Sequence, residues 1–265
     1  MITTIVLYLT VGVFAGLIAG LLGIGGGLLI VPCLAIILPY EGVSSEYVMH
    51  IAVGTTLAIT VFTSLSAIRA HVQQGGILVA VFKQMVIGLL IGAVLGAVVA
   101  NFIPSHILKI IFAVFAFLIA ARMGFNVQPK PHHQLPGKVG LWISALILSW
   151  VSSLVGLAGG VLIVPYLTRC NVAINNAVST SAACTLPIAF AGGMSFLVIG
   201  LFHTTGLPHW SVGYVFLPAL AGIAVMSMVF APIGARLSKK LPPETLKRVF
   251  AVFLVLVGIN MMFFQ

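Results

Sequence analysis

Residues able to do covalent chemistry are scarce in this chain, whereas residues able to hold an anion without reacting occur twice. Only three of its 265 residues are acidic. None lies inside an apolar run, and there is no His-Glu-x-x-His motif or Ser/His pairing at depth, so an intramembrane enzyme has no constellation to work with. Cys33, Cys170 and Cys184 show neither CxxC nor Cys/His ligand spacing, which predicts buried free thiols and no metal or other cofactor. What recurs is a glycine run followed by a proline. Gly23-Ile-Gly-Gly-Gly-Leu-Leu-Ile-Val-Pro-Cys-Leu34 returns as Gly156-Leu-Ala-Gly-Gly-Val-Leu-Ile-Val-Pro-Tyr-Leu167. Glycines leave backbone amides uncovered, and a helix restarting after such a break presents its first N–H groups, with the positive end of its dipole, to whatever occupies the gap. Gly25, Gly26 and Gly27, with Gly159 and Gly160, are therefore candidate substrate-binding positions. Pro32 and Pro165 each remove an intrahelical donor, freeing a carbonyl near Leu28 or Val161, and are candidate gating positions.

A second repeated block supplies hydroxyls. Ala52-Val-Gly-Thr-Thr56 returns as Ala177-Val-Ser-Thr-Ser181, so Thr55, Thr56, Thr180 and Ser181 are candidate donors to oxyanion oxygens, free of the desolvation cost of a buried charge. Back-bonding to their own helices is an equal alternative for these hydroxyls. Asn175 and Asn176 precede a helix that one of them is expected to cap, with substrate contact the alternative. Glycines spaced by four, at Gly12, Gly16 and Gly20 and at Gly88, Gly92 and Gly96, read instead as close helix packing. A nucleotide site at the glycine runs is excluded, because no Lys-Ser/Thr follows. The seven histidines, His50, His71, His106, His132, His133, His203 and His209, fall near span ends or loops, which predicts interfacial or solvated side chains.

The elements that position these residues are membrane helices. Hydrophobic residues make up 61% of the chain and charged residues 6%, far from the roughly 25% charged of a soluble domain. Apolar helices are expected near 47–70, 78–101, 105–122, 175–201, 210–237 and 245–264, with broken segments at 5–38 and 139–170. The net charge of +9 comes without an aromatic-interleaved basic patch, so nucleic acid is not an expected partner. Met1 to Leu22 lacks a basic n-region and is expected to remain as a span.

A third block, Ile103-Pro-Ser-His-Ile-Leu-Lys-Ile-Ile-Phe-Ala-Val-Phe115, returns as Leu241-Pro-Pro-Glu-Thr-Leu-Lys-Arg-Val-Phe-Ala-Val-Phe253, so the chain divides into repeats at 1–123 and 139–265 joined by a cytoplasmic linker at 124–138. Each repeat holds a glycine-broken segment, either a re-entrant hairpin or two short spans, and three full spans. Each therefore begins on one face and ends on the other, and the halves must be inverted copies. Charge agrees: with Arg236, Lys239, Lys240, Lys247 and Arg248 inside, span counting also places Arg69, Lys83, Arg122, Lys130, Lys138 and Arg169 inside and leaves only Lys109 outside, with Glu41 and Glu46 in an outer loop. The fold class expected is all-α, a polytopic transmembrane bundle of two inverted-topology repeats.

The paired Gly-x-(Gly/Ala)-Gly-Gly/Val-Pro blocks, the Gly-Thr-Thr and Ser-Thr-Ser blocks and the two-half layout resemble the sulfite exporter TauE/SafE family, also called the TSUP transporters, over nearly the whole chain. The resemblance implies secondary transport of sulfur-containing anions such as sulfite, thiosulfate or organosulfonates, with related organic anions in some members. Family motif positions fall on Gly25, Gly26, Gly27 and Pro32 and on Gly159, Gly160 and Pro165. Ala158 stands where the first half has Gly25, which predicts a less permissive second turn. The reading is a plasma-membrane carrier of small anions working by alternating access; an anion channel of the same fold is the alternative. Lipid and the anion are its expected partners, and a homodimer is left open. With no carboxylate inside a span, coupling must use histidine, substrate protonation or the membrane potential.

Overall fold

The computed structural model describes residues 2–22, 25–72, 76–124, 134–202, 207–237 and 243–263. Expectations for Gly23, Lys130, His132, His133, His203, Lys239 and Lys240, and for the side chains of His71, Lys247 and Arg248, lie outside the described residues. Within them the chain forms α1 (Ile2–Leu22), α2 (Gly27–Ile37), a 3-10 turn (Leu38–Glu41), α3 (Val48–Val72), α4 (Val79–Phe102) and α5 (Ser105–Gly124). Then follow α6 (Lys138–Val155), α7 (Gly160–Arg169), α8 (Ile174–Leu201), the two-residue strands β1 (Ser211–Val212) and β2 (Val215–Phe216), α9 (Leu217–Leu237) and α10 (Pro243–Phe263). Seven of the described helices are long and apolar enough to cross a membrane. The protein is an all-α polytopic bundle.

Its packing suits a bundle whose solvent is lipid. Large apolar side chains point outward, among them Ile87, Leu118, Val139, Val229 and Leu256, while the interior is rich in small and hydroxyl residues. With no hydrophobic drive between helices inside lipid, close backbone approach does the work. Gly12, Gly16 and Gly20 of α1 lie against Ile223, Ser227 and Ala231 of α9, so these two helices run parallel. Gly88, Gly92 and Gly96 of α4 lie in the same way against Trp142, Leu146 and Trp150 of α6. The expected packing role of both glycine stripes is met, and each seam joins one half to the other. The halves of the sequence are therefore interleaved in space.

At the centre α3 and α8 run antiparallel, with Gly54 beside Phe196 and Leu57 beside Gly192. α5 and α10 are antiparallel as well, with Phe117 against Gly258 and Gly124 near Ala251. Two local expectations are corrected. The helix expected from 210 starts only at Leu217, because Ser211 to Phe216 turn back as a hairpin in which Val212 pairs with Val215. Gly213 (φ +56°) packs on the Leu197 carbonyl of α8, where a side chain would not fit. Asn175 and Asn176 do not cap α8: the N-cap is Ala173, with no side-chain bond, and both asparagines lie in the first turn.

Candidate functional site

The two glycine breaks meet in the middle of the bundle. Gly26 rests on Ala15, one residue before Gly16, and Gly16 touches Ser227 halfway along α9. Gly159 faces Ile188, halfway along α8. A Cβ on Gly27 would run into the carbonyl oxygen of Gly156, so the breaks touch. From this point α2 runs toward the start of α3 and α7 toward the start of α8, and since α3 and α8 are antiparallel, α2 and α7 point away from each other. At 11 and 10 residues they are roughly 15 Å long, half the hydrocarbon thickness of a bilayer. Each broken segment thus combines a helix of spanning length with a half-length return.

No side chain caps either short helix. The first intrahelical donors in α2 are Leu29 and Ile30, to the Gly26 carbonyl, and in α7 Leu162 and Ile163, to the Gly159 carbonyl. Earlier amides, those of Gly27 and Leu28 and of Gly160 and Val161, have no acceptor within their helices. The backbone repeats the sequence even at its one mismatch: Gly25 has φ +76° and Ala158, in the matching place, φ +49°. The second turn is left-handed despite its Cβ, a conformation that alanine adopts at a cost. Pro32 and Pro165 lie within continuous helices, α2 and α7.

The hydroxyls separate into different roles. Thr55 Oγ1 accepts the Phe216 N–H at 2.9 Å and Thr180 Oγ1 accepts the Leu78 N–H at 3.0 Å. Phe216 and Leu78 immediately precede α9 and α4, so each threonine anchors the start of a helix from the opposite half. Ser181 Oγ donates to the Gly160 carbonyl at 3.4 Å. The Thr56 hydroxyl is fully buried and has no hydrogen-bond partner.

A narrow cleft opens beside the first break, lined by Ala19, Gly25, Thr60, Thr63, Ser64, Ala67, Ala182 and Thr185. Among the described residues no charged side chain lines it. Thr60 and Thr185 went unnoticed among the sequence-predicted residues, although the offset relating Thr55 to Thr180 also relates them. Both donate to the carbonyl four residues earlier, of Thr56 at 2.7 Å and Ser181 at 3.0 Å. Thr56 shares the Thr60 face of α3, one turn deeper. A second cleft lies at the other end of α3, lined in part by Glu46, Tyr47, His50, Asn101, Ser105 and Tyr214. Between them residues 51–57 of α3 are buried, closing one cleft from the other. His50 itself is buried (5% exposed), which corrects the expectation of a solvated histidine, whereas His106 and His209 are exposed as expected. Cys33, Cys170 and Cys184 are free thiols, the first half-buried and the others buried.

A multi-pass helical bundle with two uncapped half-length helices meeting at an uncharged, hydroxyl-lined centre defines a class of membrane protein. Comparison with known proteins identifies it further: the model of the family described as "Sulfite exporter TauE/SafE" matches residues 8–261, and the chain belongs to that family. It is 34% identical to the "Probable membrane transporter protein" of Haemophilus influenzae over 98% of this chain and 99% of the relative. A protein of the same description from Methanocaldococcus jannaschii is 29% identical over 97% and 94% of the two chains. One from Bacillus subtilis, YunE, is 22% identical over 97% of each. No solved structure matches the chain at a significant level.

Proposed function

We propose that this protein is a secondary transporter, not an enzyme, that moves small sulfur-containing oxyanions or organosulfonates across the plasma membrane by alternating access about the two glycine breaks. The observation carrying this reading is that α2 and α7 begin against one another, uncapped, halfway along their neighbours. Two positive helix ends converge there, and neutral donors suit a carrier better than a buried guanidinium, whose charge would be stranded after release. The antiparallel pairs α3/α8 and α5/α10 support an inverted relation between the halves. Clefts at the two ends of α3, separated by its buried segment, support access from alternate sides. The names of the relatives point the same way.

In this reading the anion enters beside Gly25 and takes amide donors from the start of α2, while the Thr56 hydroxyl lies buried one turn beyond Thr60 with no existing bond to give up. The Thr60 and Thr185 protons must swing from their own helix carbonyls toward the anion, a favourable exchange because hydrogen bonds to an ionised acceptor are the stronger ones. Flux of sulfite, thiosulfate and sulfoacetate into proteoliposomes tests the function. Saturable uptake with counterflow is expected; unitary currents would make the protein a channel, and absence of flux for all three would sink the substrate class. Thr60→Val and Thr185→Val should each weaken anion binding by about 1.5–3 kcal/mol, the usual loss for a hydrogen bond to a charged group.

A further inference from the structure

His50 is a buried ionisable group that the central site leaves unused. It stands in the first turn of α3, in the cleft with Glu46, Tyr47, Asn101, Ser105, His106 and Tyr214, a cavity of about 450 Å³. Its Nε2 lies 3.1 Å from the Ala100 carbonyl. A carbonyl only accepts, so Nε2 carries a proton. That carbonyl belongs to the last turn of α4, the negative end of the helix dipole, which favours an imidazolium. The ring centroid is 5.3 Å from that of Tyr214 and 6.5 Å from that of Tyr47, within or near the range where an aromatic ring steadies a cation.

Among the described residues, the ionisable side chains lining this cleft are Glu46 and Tyr47 just before α3, His50 on α3, His106 on α5 and Tyr214 on the hairpin, with no lysine or arginine. Lys109, a turn beyond Ser105 on α5, is not among the lining residues. Tyr214 donates its hydroxyl to Asn101 Oδ1 at 3.2 Å. Burial, with Tyr47 and Glu46 nearby, pushes that hydroxyl up to about 12, so it stays a neutral donor. The α4 terminus and the rings of Tyr47 and Tyr214 stand against the imidazole, and Glu46 lines the same cleft. An imidazole is the side chain whose ordinary charge change falls between about pH 5 and 8.

We propose that His50, when protonated, gathers the anion at this face, so that loading of the carrier from this side depends on a proton. The inference rests on the transport reading above. A proton from the cleft water charges the imidazole. The cation gathers an anion in the cleft, some 15 Å along α3 from Thr60, and loss of the proton ends the attraction. Low pH on this face therefore favours loading and high pH favours release.

Two measurements separate this proposal from the reading beneath it: histidine-labelled protein followed by NMR, and proteoliposome flux of sulfoacetate, whose charge is constant between about pH 5 and 8. The His50 resonance, identified by its loss in His50→Gln, is expected to titrate in that range. Flux should fall by up to about tenfold per pH unit above the titration point. It should lose this dependence in His50→Gln and keep it in His106→Gln. A His50 resonance that does not move overturns the proposal whether or not flux is seen, and so does a wild-type pH profile in His50→Gln. A titrating His50 with no flux of sulfoacetate, sulfite or thiosulfate at any pH overturns the transport reading and the proton-dependent loading with it.

Discussion

Adjacent glycines at the first break do different work, and substitution should separate them. The nearest atoms to a Cβ on Gly25 would be the Leu157 carbonyl oxygen at 3.9 Å and Thr185 Cγ2 at 4.0 Å, so an alanine fits. Its left-handed φ then costs about 1–2 kcal/mol. A Cβ on Gly27 instead meets the backbone of Gly156, which cannot give way. Gly25→Ala should insert and fold with a lowered melting temperature and weakened transport, whereas Gly27→Ala should be recovered poorly; equal yields of the two by size-exclusion chromatography would contradict the contact between the breaks. Gly26→Leu is a poor probe, since a side chain there presses on Ile30 and Ala15. These glycines were legible in the sequence because they repeat. Division of labour among the hydroxyls was not, since Thr55 and Thr56 are neighbours of one type. Only the tertiary fold sets Thr55 against Phe216 and leaves Thr56 without a partner.

Element by element, helix starts are held across the halves. Thr55 secures α9 and Thr180 secures α4, each by accepting a buried or half-buried backbone N–H. Removing either hydroxyl orphans that donor, at about 1–3 kcal/mol. Thr55→Val and Thr180→Val should each lower the detergent-solubilised melting temperature, and the double variant should lose the sum, because the two anchors share no partner. A threonine whose loss left stability untouched while abolishing binding would return it to the role of substrate ligand. Span positions were readable to within a few residues from apolar run length, except the start of α9. Ser-Val-Gly-Tyr-Val-Phe continues an apolar run, and nothing local distinguishes it from helix. The hairpin exists because Gly200 and Gly213 let the turn lie flat on α8 while Tyr214 fills a pocket against His50 and Phe196.

For the whole molecule, basic residues near span ends set the expected orientation, and exposed positions on each side test it. Leu135 in the linker and Tyr40 after α2 are both exposed. In a cysteine-free background, Tyr40→Cys should react with a membrane-impermeant thiol reagent on intact cells and Leu135→Cys only after permeabilisation; the opposite pattern would reverse the topology. The pairing of α1 with α9 and of α4 with α6 has a bearing on biosynthesis. When α1 leaves the ribosome, the surface its glycine stripe fits, Ile223 to Ala235, has yet to be made. The first helix must wait in the lipid through the insertion of seven others, and α4 waits for α6. Neither half is a self-sufficient folding unit. A chain severed between 126 and 133 should accumulate only when both fragments are made in the same cell, and either fragment alone should be cleared by membrane proteases.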